Sequence, residues 1–223
     1  MKNLIIPVAG ENKYKDPMII PNLFKLSENG FMYCVASIMG IQLENFDHIY
    51  FTILAKHNKQ FLLDKMLDLQ FQRLGIADKA KVVILNKETR NQPETIYQTV
   101  YQENIKGGIY CKDGDSFFEC ELSEENSVAV YPLDALTSVN PQHKSYVSVD
   151  DMYYITNIIE RKIIGSLFSA GGYYFKSADD FCYYYQELQQ YDKLYLSHVI
   201  YSMLLNNKVF RPIKVNNYID WGE

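Results

Sequence analysis

Apolar positions in this chain fall into short blocks, and their spacing changes half-way along. Residues 3–8 form a continuous apolar run, the mark of a strand buried on both faces. Pro7 can end that strand, and Gly10 permits a tight turn. Residues 31–39 predict a helix and residues 48–54 a second strand. Asn58 is placed to cap the next helix, along which Leu62, Met66 and Leu69 recur at helical spacing until Gly75 stops it. A third strand at 81–85, a third helix at 94–102 and a fourth strand at 108–111 follow. Strands alternating with helices imply right-handed crossovers and a mostly parallel sheet.

Beyond residue 111 strands succeed one another. Stretches 127–133, 145–149 and 153–160 carry strand patterns, with turn residues at 138–141. A short strand at 173–175 leads to helices at 178–191 and 195–205, the second stopped by Asn206-Asn207. Residues 208–215 predict the last strand. No repeat, low-complexity tract or linker interrupts the chain, so residues 1–223 are expected to form one α/β domain with a mixed, mostly parallel sheet flanked by helices.

Three places carry candidate chemistry. Gly10, after the first buried strand, lets backbone amides approach a phosphate, with Lys13 and Lys15 adding charge; taken alone, though, a single glycine there reads first as an ordinary strand-end turn with solvated lysines. Asp113-Gly114-Asp115 follows the fourth strand and displays two carboxylates at one point of the sheet's carboxyl edge. Asp-Gly is also a strong hairpin signal, and 116–122 resumes a strand pattern. Glu160-Arg161-Lys162 follows a long strand and offers a basic pair for a phosphate, or a solvated charged turn. A second acidic element, Asp220-Trp221-Gly222, follows the last strand pattern. Carboxylates at strand ends suit a hard divalent cation that also holds phosphate oxygens.

Bulk properties narrow the classes. An apolar content of 48% over 223 residues is ordinary for a folded domain. A net charge of −5 argues against nucleic-acid binding, and no run is long enough to span a membrane. Cys34, Cys111, Cys120 and Cys182 lack metal-site spacing, and no signal-peptide pattern precedes the first strand, so free thiols in a reducing cytoplasm are expected. His48, His57, His143 and His198 are dispersed without ligand partners, and His198 is expected to pack within its helix. The 19 tyrosines are accounted for by aromatic-rich strands.

Taken in order, these elements resemble the sugar-1-phosphate nucleotidyltransferase family, whose Rossmann-like fold is also described as GT-A-like. Leu4 to Gly10 is similar to its first strand and nucleotide loop, and Asn29-Gly30-Phe31-Met32 to the turn into its first long helix. Thr89-Arg90-Asn91-Gln92-Pro93-Glu94-Thr95 resembles the segment beside the base. Asp113-Gly114-Asp115-Ser116 resembles the metal-bearing turn, and Glu160-Arg161-Lys162 the Glu-Lys element at the sugar phosphate. Gly171-Gly172-Tyr173-Tyr174-Phe175 resembles the strand under the sugar, and Asp220-Trp221-Gly222 the closing Asp-x-Gly. The chain departs from the pattern where Gly-x-Gly-x-Arg becomes the shorter Gly10-Glu11-Asn12-Lys13, and where a Pro-Lys step becomes Pro21-Asn22. Arg161 stands where lysine is usual, and Glu223 where threonine is.

The resemblance implies Mg²⁺-dependent transfer of a nucleoside monophosphate from a nucleoside triphosphate to a phosphorylated small molecule, with release of pyrophosphate, for surface polysaccharide precursors. By that likeness Asp115 and Asp220 hold Mg²⁺, with Asp113 beside them at the nucleotide. Lys13 and Lys25 face the triphosphate, and Arg161 and Lys162 the acceptor phosphate. Val8, Ala9, Gly10, Asn91 and Gln92 line the nucleotide, and Glu160, Gly172 and Tyr173 the acceptor. The expected partners are the two substrates, without nucleic acid or membrane; self-association into a homo-oligomer is left open. Three alternatives stand beside this one: a cytidylyltransferase for a phosphorylated non-sugar, a GT-A-type glycosyltransferase, and a non-catalytic nucleotide-sugar-binding protein.

Overall fold

A computed structural model describes residues 1–10, 19–136 and 141–222. The first half of the chain contributes β1 (Lys2–Pro7), α1 (Tyr33–Ala36), β2 (His48–Leu54), α2 (Ala55–Phe61), α3 (Leu63–Leu74), β3 (Ala80–Leu85), α4 (Gln92–Gln102) and β4 (Gly108–Lys112). The second half contributes β5 (Ser116–Glu119), β6 (Ser127–Pro132), β7 (Ser145–Val149), β8 (Ile155–Glu160), β9 (Leu167–Phe175), α5 (Ala178–Leu188), α6 (Leu196–Leu205), β10 (Arg211–Lys214) and β11 (Asn216–Asp220).

A nine-stranded sheet runs β10-β6-β9-β4-β1-β2-β3, with β7 joined to β9 and β8 to β7. All its strands but β8 and β9 point one way, since β4, β1, β2 and β3 pair in parallel while β9 runs against β4, β6 and β7. The fold is the expected α/β one: a mixed, mostly parallel sheet flanked by helices. β1 shows why its sequence is continuously apolar. Ile5 enters a core shared with Ile96, Val100 and Phe181, whereas Leu4 and Ile6 enter a core on the other face with Leu63, Leu67 and Phe71. Burial of side chains of this size contributes about 1.5–3 kcal/mol each.

Local departures have local causes. The helix expected over 31–39 shrinks to α1, because the Ser37 hydroxyl bonds back to the Cys34 carbonyl at 2.8 Å and the chain turns. Asn58 lies inside α2, but its side-chain oxygen accepts from the Asp64 amide at 2.8 Å and so caps the first turn of α3. Leu62 sits between α2 and α3 with φ 52°, and this break shifts the buried face of α3 to Leu63, Leu67 and Phe71. Leu62 and Leu69, expected inside, are exposed. β9 begins at Leu167 rather than 173, because Gly171 and Gly172 lie inside the strand instead of before it. β11 was not expected; its exposed residues carry no alternation to read. Among the described residues the four cysteines are unpaired, and no helix is long and apolar enough to cross a membrane.

Candidate active site

The carboxyl ends of β1, β3 and β4 open onto one edge of the sheet, where ligands gather in open α/β folds. Three hollows meet there. One, of about 350 Å³, is lined by Asp113, Asp115, Lys144, Glu160, Tyr218 and Asp220 among others. A second, of about 400 Å³, runs from Pro7 and Leu23 past Asp113–Asp115 to Lys193. The third, also about 400 Å³, lies between Gly10 and the Glu88–Gln92 segment. Asp113 and Asp115 border both of the first two, and Gln92 borders all three.

The turn after β4 is built around a buried charge. Lys112 is fully buried, and its ammonium donates to the Asp113 carbonyl at 2.8 Å, the Ser116 carbonyl at 2.7 Å and Ser116 Oγ at 3.0 Å. Its Nζ also lies 4.4 Å from the centre of the Phe118 ring. Burial pushes this ammonium down to about 8, against the pull of Asp113 and Asp115. Ser116 Oγ in turn donates to the Ala170 carbonyl at 2.9 Å, and the Asp113 amide donates to the Gly171 carbonyl at 2.8 Å. The acidic turn is thereby stapled to β9.

Asp113 accepts from the Gln92 side chain, and its carboxyl is pushed up to about 6 by burial first and by the Asp115 charge second. Gly171 gives this carboxylate its room. A Cβ there would lie 2.7 Å from Asp113 Oδ2, and its φ of +91° is itself a glycine conformation.

Asp115 and Asp220 converge. β11 pairs antiparallel with β5, which sets Asp220 opposite Ser116, and the Trp221 amide donates to the Asp115 carbonyl at 2.7 Å. A Cβ built on Gly222 would meet Asp115 Oδ2 at 3.0 Å and Asp220 Oδ1 at 3.2 Å, so both carboxylates flank one point. Asp220 accepts from Lys144, from the Gly222 amide at 2.9 Å and from the Tyr218 hydroxyl at 3.2 Å. Burial opposes ionisation of Asp220, but these donors outweigh it and hold the carboxyl below its ordinary range. Burial and the Asp220 charge push the Tyr218 phenol up, which keeps it a donor.

The other expected residues divide. Glu160 lines the first hollow, where its Oε2 accepts from Ser145 and, at 3.0 Å, from Ser197. Arg161 lines it too, with φ 61° and a 2.6 Å bond to the Tyr195 hydroxyl. Lys162 is exposed and borders none of the three hollows. The left-handed turn at Arg161 separates the two basic side chains. Tyr173 lines the first hollow, but Gly172 does not. It packs inward, where a Cβ would lie 2.3 Å from the Tyr110 hydroxyl, so Gly171 is the glycine at the site.

On the other side Gly10 is open and lines the third hollow, while Val8 and Ala9 are buried beneath it. Asn91 and Gln92 border the cleft with their side chains already engaged. Asn91 caps α4 by accepting from the Glu94 amide at 3.0 Å, and Gln92 holds Asp113. Lys25 borders none of the three hollows; its backbone bonds to Asn22 and Tyr33. Lys13 and Lys15 lie outside the described residues. His198 packs as expected, with Nδ1 accepting from the Tyr195 amide at 3.1 Å.

Lys112, Lys144 and Tyr218 are site residues that sequence patterning passed over. Lys112 alone left a trace: it shares with Tyr110 the inward-alternating positions of a fully buried strand.

No protein-family model and no curated protein matches the sequence. Solved structures do. A nucleoside-diphosphate-sugar pyrophosphorylase from Vibrio cholerae RC9 superposes with a TM-score of 0.71 at 14% identity, over 98% of this chain and 95% of its own. A UDP-glucose pyrophosphorylase complexed with UDP-glucose gives 0.73 at 12%, over 100% and 94%. The chain has the fold of the sugar-phosphate nucleotidyltransferases. An inositol-1-phosphate CTP transferase from T. maritima shares this nucleotidyltransferase fold, at 0.73 and 13%, over 98% of this chain and 86% of its own.

Proposed function

We propose that this protein is a nucleotidyltransferase that moves a nucleoside monophosphate from a nucleoside triphosphate onto a sugar 1-phosphate and releases pyrophosphate. The observation that carries this is the convergence of Asp115 and Asp220 at the meeting point of the hollows. The nucleotide would lie along Gly10 and Glu88–Gln92, and the acceptor in the 350 Å³ hollow, whose size falls in the range of about 300–1,000 Å³ used by small ligands. The product would be an activated sugar of the kind that polysaccharide synthesis consumes. Unpaired thiols support a reducing, cytoplasmic location.

The donor set suits Mg²⁺. It consists of hard carboxylate oxygens, few enough to leave positions for phosphate and water. Among the described residues no group of three or more His, Cys, Asp or Glu gathers closely enough to hold a metal ion by itself, so the Asp115–Asp220 pair would share the cation with phosphate oxygens and water. Asp115 and Asp220 would hold the cation, which when bound would neutralise phosphate charge. The chain's own residues do the rest by position. Lys112 fixes the turn that carries Asp115. Arg161 offers donors to the acceptor phosphate, and Glu160 accepts from an acceptor hydroxyl. Gly171 leaves the floor of the site low. Such transfer rests on positioning and charge neutralisation more than on covalent chemistry.

A coupled pyrophosphate-release assay over the four common nucleoside triphosphates and a panel of sugar 1-phosphates tests the reading. Release that needs both substrates and a divalent cation is expected, and no release with any pair overturns it. One observation favours a second reading, a nucleotide-sugar-binding protein without transfer. Asn22, where the resembling family carries lysine, donates to the Trp221 carbonyl at 3.1 Å and brings no charge. Tight binding of a nucleotide-sugar without pyrophosphate release would select that reading.

A further inference from the structure

Lys144 lies just before β7, with its side chain only 13% exposed. Its ammonium bonds Asp220 Oδ2 and donates to the Tyr218 hydroxyl at 2.7 Å. It also lies 5.5 Å from the centre of the Phe168 ring and 5.2 Å from that of Tyr218. A cation thus already occupies the carboxylate that, on the reading above, holds a divalent metal. Asp220 has little capacity to spare, because Oδ1 accepts from the Gly222 amide and Oδ2 from both Lys144 and Tyr218. A metal ion arriving at this oxygen meets an ammonium in the same place, and two cations there repel.

The surroundings say where the ammonium can go. The Lys144 backbone is fixed, since its carbonyl accepts from the Arg161 amide at 2.8 Å and β7 starts at the next residue. The four-carbon stem is the part that can swing. It lines the same hollow as Arg161 and Glu160, on the acceptor side of the carboxylates. A phosphate brought into that hollow faces Asp113, Asp115 and Asp220 and needs positive charge close by. Arg161 supplies some, yet it is exposed and bonded to Tyr195.

We propose that Lys144 is the resident counter-ion of Asp220, displaced by a divalent cation and re-used as a phosphate-binding donor at the reaction centre. The proposal rests on the nucleotidyltransferase reading for the identity of the phosphate, but its first half concerns the protein without substrate. The neutral, similarly shaped Lys144→Met variant therefore moves two measurements in opposite directions. Without nucleotide it should bind Mn²⁺, followed by electron paramagnetic resonance or calorimetry, about tenfold more tightly than the wild type, because a competing charge-assisted bond is gone. In the presence of Mg²⁺ it should bind nucleoside triphosphate plus sugar 1-phosphate about tenfold more weakly. Lys144→Arg keeps the charge and should keep both values near wild type. Asp220→Asn should lose Mn²⁺ binding in either background. Circular dichroism checks folding, and Lys144→Gln replaces the methionine variant if the latter does not fold.

Mn²⁺ affinity that is unchanged or weaker in Lys144→Met overturns the proposal, whatever the turnover. So does tighter Mn²⁺ binding with unaltered substrate affinity, which would make the lysine a counter-ion only. A wild type that releases no pyrophosphate while Lys144→Met still tightens Mn²⁺ overturns the transferase reading and leaves the exchange of cations at Asp220 supported.

Discussion

The two sides of the cleft are built differently. On the side of Gly10 and Glu88–Gln92 the lining comes from loops after parallel strands, and its polar groups largely serve local structure. Asn91 caps a helix, and the exposed Arg90 is occupied by Glu94 and by the Gln189 carbonyl at 3.0 Å. On the side of β5, β7, β9 and β11, charges are desolvated and tied together. Lys112 is fully buried, Lys144 bonds Asp220, and Glu160 accepts from two serines. Preorganised charge that costs no reorganisation is where catalytic electrostatics arise. On the nucleotidyltransferase reading, the contrast would put the reactive groups on the acceptor side and leave adaptable recognition to the nucleotide side.

Removing a charge where the two sides meet should have the largest effect. Asp220→Asn and Asp115→Asn are each expected to lower pyrophosphate release by about 10²–10³, with the near-ultraviolet circular dichroism unchanged. Equal losses from Asn91→Ala would erase the contrast.

Next comes the buried staple. Lys112→Met should destabilise the fold by about 2–4 kcal/mol in a urea titration, because buried carbonyls lose their donor. Arg90→Met, on the exposed nucleotide side, should stay within about 0.5 kcal/mol of wild type. Similar values for the two would show that burial is not what separates the sides.

Asp113 sharpens the comparison through pH. Its carboxyl is raised to about 6 in the fold, so the folded state holds the proton more tightly than the unfolded chain. That contribution to stability is complete below the ordinary carboxylate range and is lost as pH rises through about 6. Asp113→Asn, measured in chelator, should match wild type near pH 4 and exceed it at pH 8 by about 1–3 kcal/mol. A constant difference across this range would remove Asp113 from the coupled set.

The smallest effect is expected at Lys25, which borders none of the hollows described. Lys25→Ala should leave triphosphate affinity within about twofold by calorimetry, well below the tenfold or more of a lost charge-assisted contact. A tenfold loss would return that lysine to the nucleotide side.

Much of the fold was legible because burial on both faces writes itself into sequence. β1, β2, β3 and β4 are short apolar runs separated by helix patterns, and they form the parallel core as expected. Asp113, Asp115, Glu160, Arg161 and Asp220 were singled out because they follow strands, and the structure brings all of them to the first hollow. What stayed hidden depended on tertiary contact. Glycines inside β9 look like a break until Tyr110 and Asp113 are seen crossing over them. Lys144 looks solvated until β11 returns Asp220 to it. Lys162 and Gly172 were expected at the site because of their neighbours, and backbone geometry turns both away.

β11 has a consequence for how the protein is made. Every strand of the main sheet lies before residue 215, yet the carboxylate pair forms only when Asn216–Asp220 folds back onto β5, far upstream in the chain. Chains are synthesised from the N-terminus, and domains begin to fold as they emerge. A ribosome-bound chain that has delivered β10 but not β11 can therefore hold its whole central sheet and still lack the Asp115–Asp220 pair. The Asp115–Asp220 pair is thus a late contact, closed only after the strands of the central sheet have been made.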